Sequence, residues 1–374
     1  MEERNLKRQL SILALTRVRG LGAAAICTIL RTVEAPEAIF ENLDYLEEII
    51  PNAGPELRAA LSAPEPMERA KAEQEFVNEK GIRTVCLGDD DYPYRLSECE
   101  DAPPVIYTLG NLNLNAQHIV SIVGTRRATE YGKDLCNTLV ADLARLLPDT
   151  LIVSGLAYGI DVCAHRAAVN NGLSTVGVLA HGLDRIYPSS HRNVAKVMLK
   201  NGGLLTEYMS DTEPFKHHFL QRNRIVAGLA DATVVIESPS HGGSLVTASI
   251  AQSYARDCFA FPGRVNDQYS IGCNELIARN SAALITSAHD LVEAMNWGGA
   301  VKTSAVVEQE LFPQLSAPEQ HLLDLLRAHS EGLQVNQIVI ALDVPVSKVM
   351  PVLFELEMKN LIRAVAGGRY RAVV

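Results

Sequence analysis

The hydrophobic pattern of the chain changes character twice. Residues 5–15 place apolar side chains at helical spacing, Val18-Arg19-Gly20-Leu21-Gly22 interrupts them, and residues 23–30 resume the pattern. Residues 66–80 read as a charged helix and 82–87 as a short strand. Asp91-Tyr92-Pro93-Tyr94 and Asp101-Ala102-Pro103-Pro104 then punctuate a linker-like stretch. From 118 to 296 the pattern alternates. Continuous apolar runs at 118–123, 151–153, 175–180, 204–207, 232–237, 258–261 and 283–286 have the length of buried parallel strands, and helical segments such as 131–147 and 244–254 separate most of them. Such alternation implies right-handed crossovers and a doubly wound parallel sheet. After a polar stretch at 300–315, helical patterns at 318–328, 335–342 and 347–359 lead into a short ribbon, 361–363 and 370–372, around Gly367-Gly368.

The expected architecture is therefore an α/β protein with a Rossmann-like core, a small N-terminal helical domain and a C-terminal winged helix. The expected bounds are 1–75 for a helix-hairpin-helix or SAM-like domain, 76–298 for the Rossmann-like domain, 299–315 for a linker and 316–374 for the winged helix. An apolar-glycine turn such as 18–22 can present backbone amides to a phosphate; it serves equally as a plain turn that uses glycine for its positive φ.

Composition narrows the function classes. No apolar run approaches the length of a membrane span, and the acidic start Met1-Glu2-Glu3 is unlike a signal peptide; a cytoplasmic protein is expected. The seven cysteines include no C-x-x-C pair, so no zinc ribbon is expected. The net charge of −10 divides unevenly: residues 1–117 carry −8, residues 118–300 carry −1 and residues 301–374 carry −1. The middle is balanced, so what matters there is whether its basic residues converge. The third C-terminal helix carries Lys348 and Lys359 against Glu355 and Glu357, which favours protein contact or weak DNA binding over base readout.

In a doubly wound sheet, ligands sit beyond the carboxyl ends of the strands. Gly124-Thr125-Arg126-Arg127 follows the first parallel strand and precedes a helix, combining amides, a helix dipole and guanidinium groups. It is neither a dinucleotide fingerprint nor a P-loop. Ser154-Gly155-Leu156-Ala157-Tyr158-Gly159-Ile160-Asp161 follows the second, with Asp161 read as a helix cap or, alternatively, as a group that orients Arg126, and His165 as structural. Arg222-Asn223-Arg224 opens a later helix. These arginines are costly unless paired or bound to an anion, and pairing with Glu207 and Glu237 is the alternative. Gly242-Gly243-Ser244 makes a second amide nest. No metal cluster and no nucleophile elbow are apparent. A convergent set of phosphate donors without nucleophile or metal describes a pocket that binds a polyanion.

Taken in order, these motifs resemble the DNA-processing protein A family (DprA, also called Smf). The resemblance is carried by Gly124-Thr125-Arg126, by Ser154 to Asp161 with Ala164-His165, by Gly182-Leu183-Asp184-x-x-Tyr187-Pro188, and by Phe219-x-x-Arg222-Asn223-Arg224-Ile225-Val226-Ala227-Gly228. Gly243-Ser244-Leu245-Val246-Thr247-Ala248, Pro262-Gly263 and Gly272-x-Asn274-x-Leu276-Ile277 complete it. One departure is visible: Gly242 stands where the family usually has serine. The resemblance implies a single-stranded DNA-binding recombination mediator that protects incoming strands during natural transformation, helps load RecA recombinase, and forms a homodimer through the Rossmann-like domain, without catalysis, cofactor, metal or membrane partner. It places DNA contacts at Gly124, Thr125, Arg126, Ser154, Gly155, Arg222, Asn223, Arg224, Gly243 and Ser244. Lys216, just before the arginine motif, is an added expected backbone contact, and on a chain only 5% aromatic phosphate contacts are expected to outweigh stacking. An alternative is a nucleotide-monophosphate phosphoribohydrolase of the lysine-decarboxylase-like fold, but 241–248 lacks the glutamate that such enzymes carry. A winged-helix transcription regulator is a third reading, and it lacks a basic recognition helix.

Overall fold

The computed structural model describes residues 2–298 and 315–372, apart from 34, 44, 45, 47–49, 51, 52, 330, 331, 360, 366 and 367. They form two compact units that divide after Trp297. The first is built on a nine-stranded sheet of order β1-β2-β6-β5-β4-β3-β7-β8-β9. Its strands are β1 (Arg83–Cys86), β2 (Val105–Asn111), β3 (Ile119–Val123), β4 (Leu151–Ser154), β5 (Ser174–Val178), β6 (Gly202–Thr206), β7 (Ala232–Val235), β8 (Asp257–Ala260) and β9 (Ala283–Leu284). The seven expected strands are present and mutually parallel. The sheet is nevertheless mixed, because β2 runs against β6 and β1 against β2. The stretch after Pro103-Pro104 that reads as a linker is the seven-residue strand β2. Prolines at a strand's entrance leave its ladder intact.

Helices cover both faces of the sheet. Apart from two single-turn helices, Ala38–Glu41 and Tyr94–Ser97, the described α-helices of the first unit are α1 (Glu2–Leu15), α2 (Ala23–Thr32), α3 (Pro55–Ser62), α4 (Glu65–Lys80), α5 (Glu130–Leu146), α6 (Ile160–Asn170), α7 (Arg192–Met198), α8 (Lys216–Gly228), α9 (Gly243–Ser253), α10 (Ile271–Ala278) and α11 (Ala288–Ala294). Val120, Ile122 and Ile152 point to the layer formed by α5, α6 and α11, whereas Ile119, Val123, Leu151 and Val153 point to the layer of α8, α9 and α10. This alternation explains the continuous apolar runs: a strand buried on both faces has no polar side to show.

The N-terminal helices belong to this unit. The boundary expected between 75 and 76 falls inside α4, and α4 is held to the sheet domain by a buried carboxylate: Glu73 accepts from the Ser210 amide at 3.0 Å and from its hydroxyl at 2.6 Å. Gly20 takes a φ of +88° between α1 and α2, the conformation that glycine supplies there most cheaply.

The second unit contains α12 (Ala317–Arg327), α13 (Val335–Leu342) and α14 (Val346–Met358), with strands β10 (Leu333–Gln334), β11 (Ile362–Val365) and β12 (Arg369–Ala372). The helices share a core of Leu322, Leu326, Ile338, Val349, Leu353 and Leu356. The expected two-stranded ribbon gains a third strand, β10, on β12. Gly367 and the expected linker up to 314 lie outside the described residues. Among the described residues, no single helix is long and apolar enough to cross a membrane.

Candidate nucleic-acid interface

The order of the sheet reverses at β3, whose neighbours are β4 and β7, and such a switch point leaves a crevice at the carboxyl ends of the strands. The loop after β3 enters it under tight constraint. The Thr125 amide donates to the Glu237 carbonyl at 2.8 Å, and the Thr125 hydroxyl accepts from the Arg127 amide at 3.1 Å. The buried Glu237 carboxylate accepts from the Thr129 amide at 2.9 Å and from its hydroxyl. Glu237 therefore fastens this loop at two points and pairs with neither arginine of α8. Gly159 takes a φ of +78°, and a Cβ there would overlap the Thr125 carbonyl. The β4–α6 turn thus nests against the β3 loop. Arg126 projects from that loop into solvent, 5.2 Å from the centre of the Phe219 ring.

The floor of the crevice is Arg222, from α8. Only 4% of it is exposed. Its Nη1 donates to the Val178 carbonyl at 2.8 Å, its Nε has no partner, and among the described residues no carboxylate lies within ion-pair distance. Its guanidinium lies directly over Gly155, where any Cβ would overlap it. Burial pushes the Arg222 pKa down, against the pull of the nearby Asp161. Burial likewise pushes Asp161 up, opposed chiefly by Arg222 and then by Arg126. Asp161 does not cap α6, whose N-cap residue is Gly159. It accepts weakly from the Ala157 amide at 3.4 Å and faces the two guanidinium groups. Behind them, burial and the charge of Arg222 push His165 down to about 3, so it stays neutral beside the arginine.

The opposite wall is the N-terminus of α9. Gly242 occupies its N-cap and no side chain satisfies its first amides, which leaves donors for an anion. Ser244 donates to the Ser238 hydroxyl at 2.9 Å, and a Cβ at 242 would overlap that same Ser238 hydroxyl. Glycine at 242 therefore fits where a serine side chain would crowd Ser238.

These walls enclose an open pocket of about 520 Å³. Gly124, Thr125, Arg126, Gly155, Lys216, Arg222, Asn223, Gly243 and Ser244 all line it. Lys216 starts α8, exposed at the rim, and among the described residues the Asn223 side-chain carboxamide has no hydrogen-bond partner. Ser154 and Arg224 do not line it. The fully buried Ser154 hydroxyl donates to the Ile122 carbonyl at 2.6 Å and ties β4 to β3. Arg224 points away, donating to Glu207 and to the Asp101 carbonyl. The pairing with Glu207 considered from sequence holds for Arg224. Asp161 lines the pocket facing Arg126, the less favoured of its two sequence readings, and sequence reasoning missed Tyr187 and Phe219, whose rings lie 5.9 Å apart at the rim. Both aromatics sit inside the motifs quoted above, and their neighbouring arginine and proline were the available signal.

A sequence model of the DNA recombination-mediator protein A family matches residues 83–296, and one of the DprA winged-helix domain matches residues 308–368. The chain is 33% identical over 331 residues to a putative DNA processing protein DprA of Mycobacterium tuberculosis, covering 85% of this chain and 84% of the relative. It is 40% identical over 204 residues to the DNA processing protein DprA of Streptococcus pneumoniae, covering 54% of this chain and 71% of that one. The crystal structure of the S. pneumoniae protein superimposes with a TM-score of 0.57 at 31% identity, over 73% of this chain and 98% of that one. The structure of DNA processing protein A from Helicobacter pylori, described for its single-stranded DNA binding mode, gives 0.52 at 31% identity, over 58% of this chain and 96% of that one. By sequence and by fold, the chain belongs to the DNA recombination-mediator protein A family.

Proposed function

We propose that the pocket between the β3 loop, Gly155 and the N-terminus of α9 binds single-stranded DNA through its phosphates, and that the protein acts as a mediator that shields such strands and helps load RecA recombinase. The observation that carries this reading is Arg222, a buried guanidinium that among the described residues has a free Nε and no carboxylate within ion-pair distance. A buried charge left this way costs several kcal/mol, and a phosphate is the partner that would offset the cost. Amide and guanidinium donors are indifferent to base identity, so binding is sequence-tolerant and salt-sensitive. The H. pylori structure supports the same ligand class by likeness. Partnership with RecA and a homodimer through the first unit follow from family resemblance, as does action by binding rather than catalysis.

The test is fluorescence anisotropy with labelled oligothymidine and with duplex over a salt series. Charge reversal at Arg222 is a poor probe, because it would set a second carboxylate beside buried Asp161. Arg222→Met and the exposed Lys216→Ala and Arg126→Ala avoid this. The expected result is salt-steep binding that prefers the single strand and weakens in all three folded variants. Unchanged affinity in folded Arg222→Met would overturn the pocket assignment. Release of a free base from AMP by the wild type would overturn the non-catalytic reading.

A further inference from the structure

We propose that the wing of the second unit, β11 and β12, is a separate phosphate-gripping element that holds the backbone of nucleic acid without reading its bases. The register carries this inference. Arg363 on β11 stands directly opposite Arg371 on β12, and opposite residues in an antiparallel pair share a face with Cβ atoms only about 5 Å apart. Arg369 lies two residues before Arg371 and therefore on the same face. The inner face is the complement: Ile362 and Ala372 pair with each other and are buried, and Tyr370 packs with them into the core. Three guanidinium groups thus share the exposed outer face of one short hairpin. Among the described residues none has an ion pair, although Arg327 pairs with Asp324 and Lys359 with Glu319 in the same unit.

Like charges directly opposite each other on a sheet are destabilising, so this arrangement works against the fold of the hairpin unless an anion lies across it. A phosphodiester backbone supplies evenly spaced anions that several arginines can hold together. The exposed face of the neighbouring helix is poor in groups for hydrogen-bonded base readout. Val346, Met350, Phe354 and Met358 follow one another at four-residue spacing along α14 and are 45%, 43%, 64% and 69% exposed, and apolar groups offer no donors to base edges. The unit therefore contributes affinity without specificity.

This inference extends the nucleic-acid reading of the first unit, and one experiment separates the two. The full chain with Arg363, Arg369 and Arg371 all changed to Gln is compared with wild type and with Arg222→Met. The probes are a short oligothymidine of about 8 nucleotides and a strand several times longer, the latter also as duplex. For the triple variant, affinity for the short strand is unchanged, affinity for the long strand or its duplex falls tenfold or more, and the salt slope becomes shallower by about 2 for single strands. Arg222→Met weakens both lengths of single strand. If Arg222→Met changes nothing while the triple variant still loses long-strand affinity, the pocket reading fails and the wing stands. Unchanged long-strand and duplex affinity in the triple variant overturns the proposal, as does an equal loss for the short strand. The single variant Arg371→Gln relieves the like-charge pair and leaves the melting of the second unit unchanged or higher; a lower melting temperature would show the arginines to be structural and overturn the proposal.

Discussion

Arg222 and Arg224 leave helix α8 two residues apart and meet different surroundings. Arg224 turns towards Glu207 and the Asp101 carbonyl and is neutralised there. Arg222 turns into the crevice, where among the described residues its side chain finds one hydrogen-bond partner, a backbone carbonyl. One arginine completes the fold, and the other is held in readiness by it. The difference comes from helix geometry, since a step of two residues turns a side chain by about 200°. A sequence can therefore place two identical residues almost side by side and give them unrelated tasks.

The largest effect expected from breaking this contrast is on stability. Arg224→Met leaves the buried Glu207 without its cation and destabilises the first unit by about 3–5 kcal/mol, as removing one partner of a buried pair does, measured by urea denaturation. The deficit depends on pH. Burial already raises the Glu207 pKa, so the protonated carboxyl favours the folded state, and the deficit shrinks as pH falls from 7.5 towards 5. DNA affinity per folded molecule is unchanged. Arg222→Met does the reverse: the first unit loses little stability, because the lost attraction to Asp161 is offset by relief of a buried, incompletely bonded guanidinium, while single-strand affinity falls by about 2 kcal/mol, near 30-fold, the size of a hydrogen bond to a charged group.

Smaller changes sharpen the picture. Gly155→Ala leaves every charge in place yet displaces the Arg222 guanidinium, at about 1–2 kcal/mol of affinity, typical of overpacking, read in the same anisotropy titration. Phe219→Ala removes the ring beneath Arg126 and loses about 0.5–1 kcal/mol, the scale of an exposed cation–π contact. A loss larger than that of Arg222→Met would show that stacking dominates over phosphate contact. The smallest effect concerns Asp161. Burial holds its pKa above the usual carboxylate range, so protonation as pH falls removes a negative charge from an anion site and strengthens binding modestly. Asp161→Asn abolishes that pH dependence.

The glycines of the site were legible in the sequence because most mark a local requirement: at 124, 155 and 242 a Cβ would run into Ile160, Arg222 and Ser238. The direction of a side chain at the end of a strand or the start of a helix was not. Ser154 reads as a pocket donor, but the pleat turns it to the Ile122 carbonyl. Arg224 carries the same chemistry as Arg222 and differs only in helical phase. Strand β2 was hidden by the prolines at its entrance, and the membership of the N-terminal helices depends on Glu73 reaching Ser210, 137 positions away. The wing arginines were counted as composition. Only the pairing register sets Arg363 against Arg371.

The interlock of Gly155 with Arg222 also constrains how such a site can change over generations. Arg222 can be lost first, since the glycine beneath it then covers empty space and does no harm. Gly155 cannot be lost first without pushing the guanidinium aside. The two positions therefore behave as one heritable character with a preferred order of decay. A descendant that has abandoned this pocket is expected to pass through an intermediate with glycine and no arginine, and not through its mirror image.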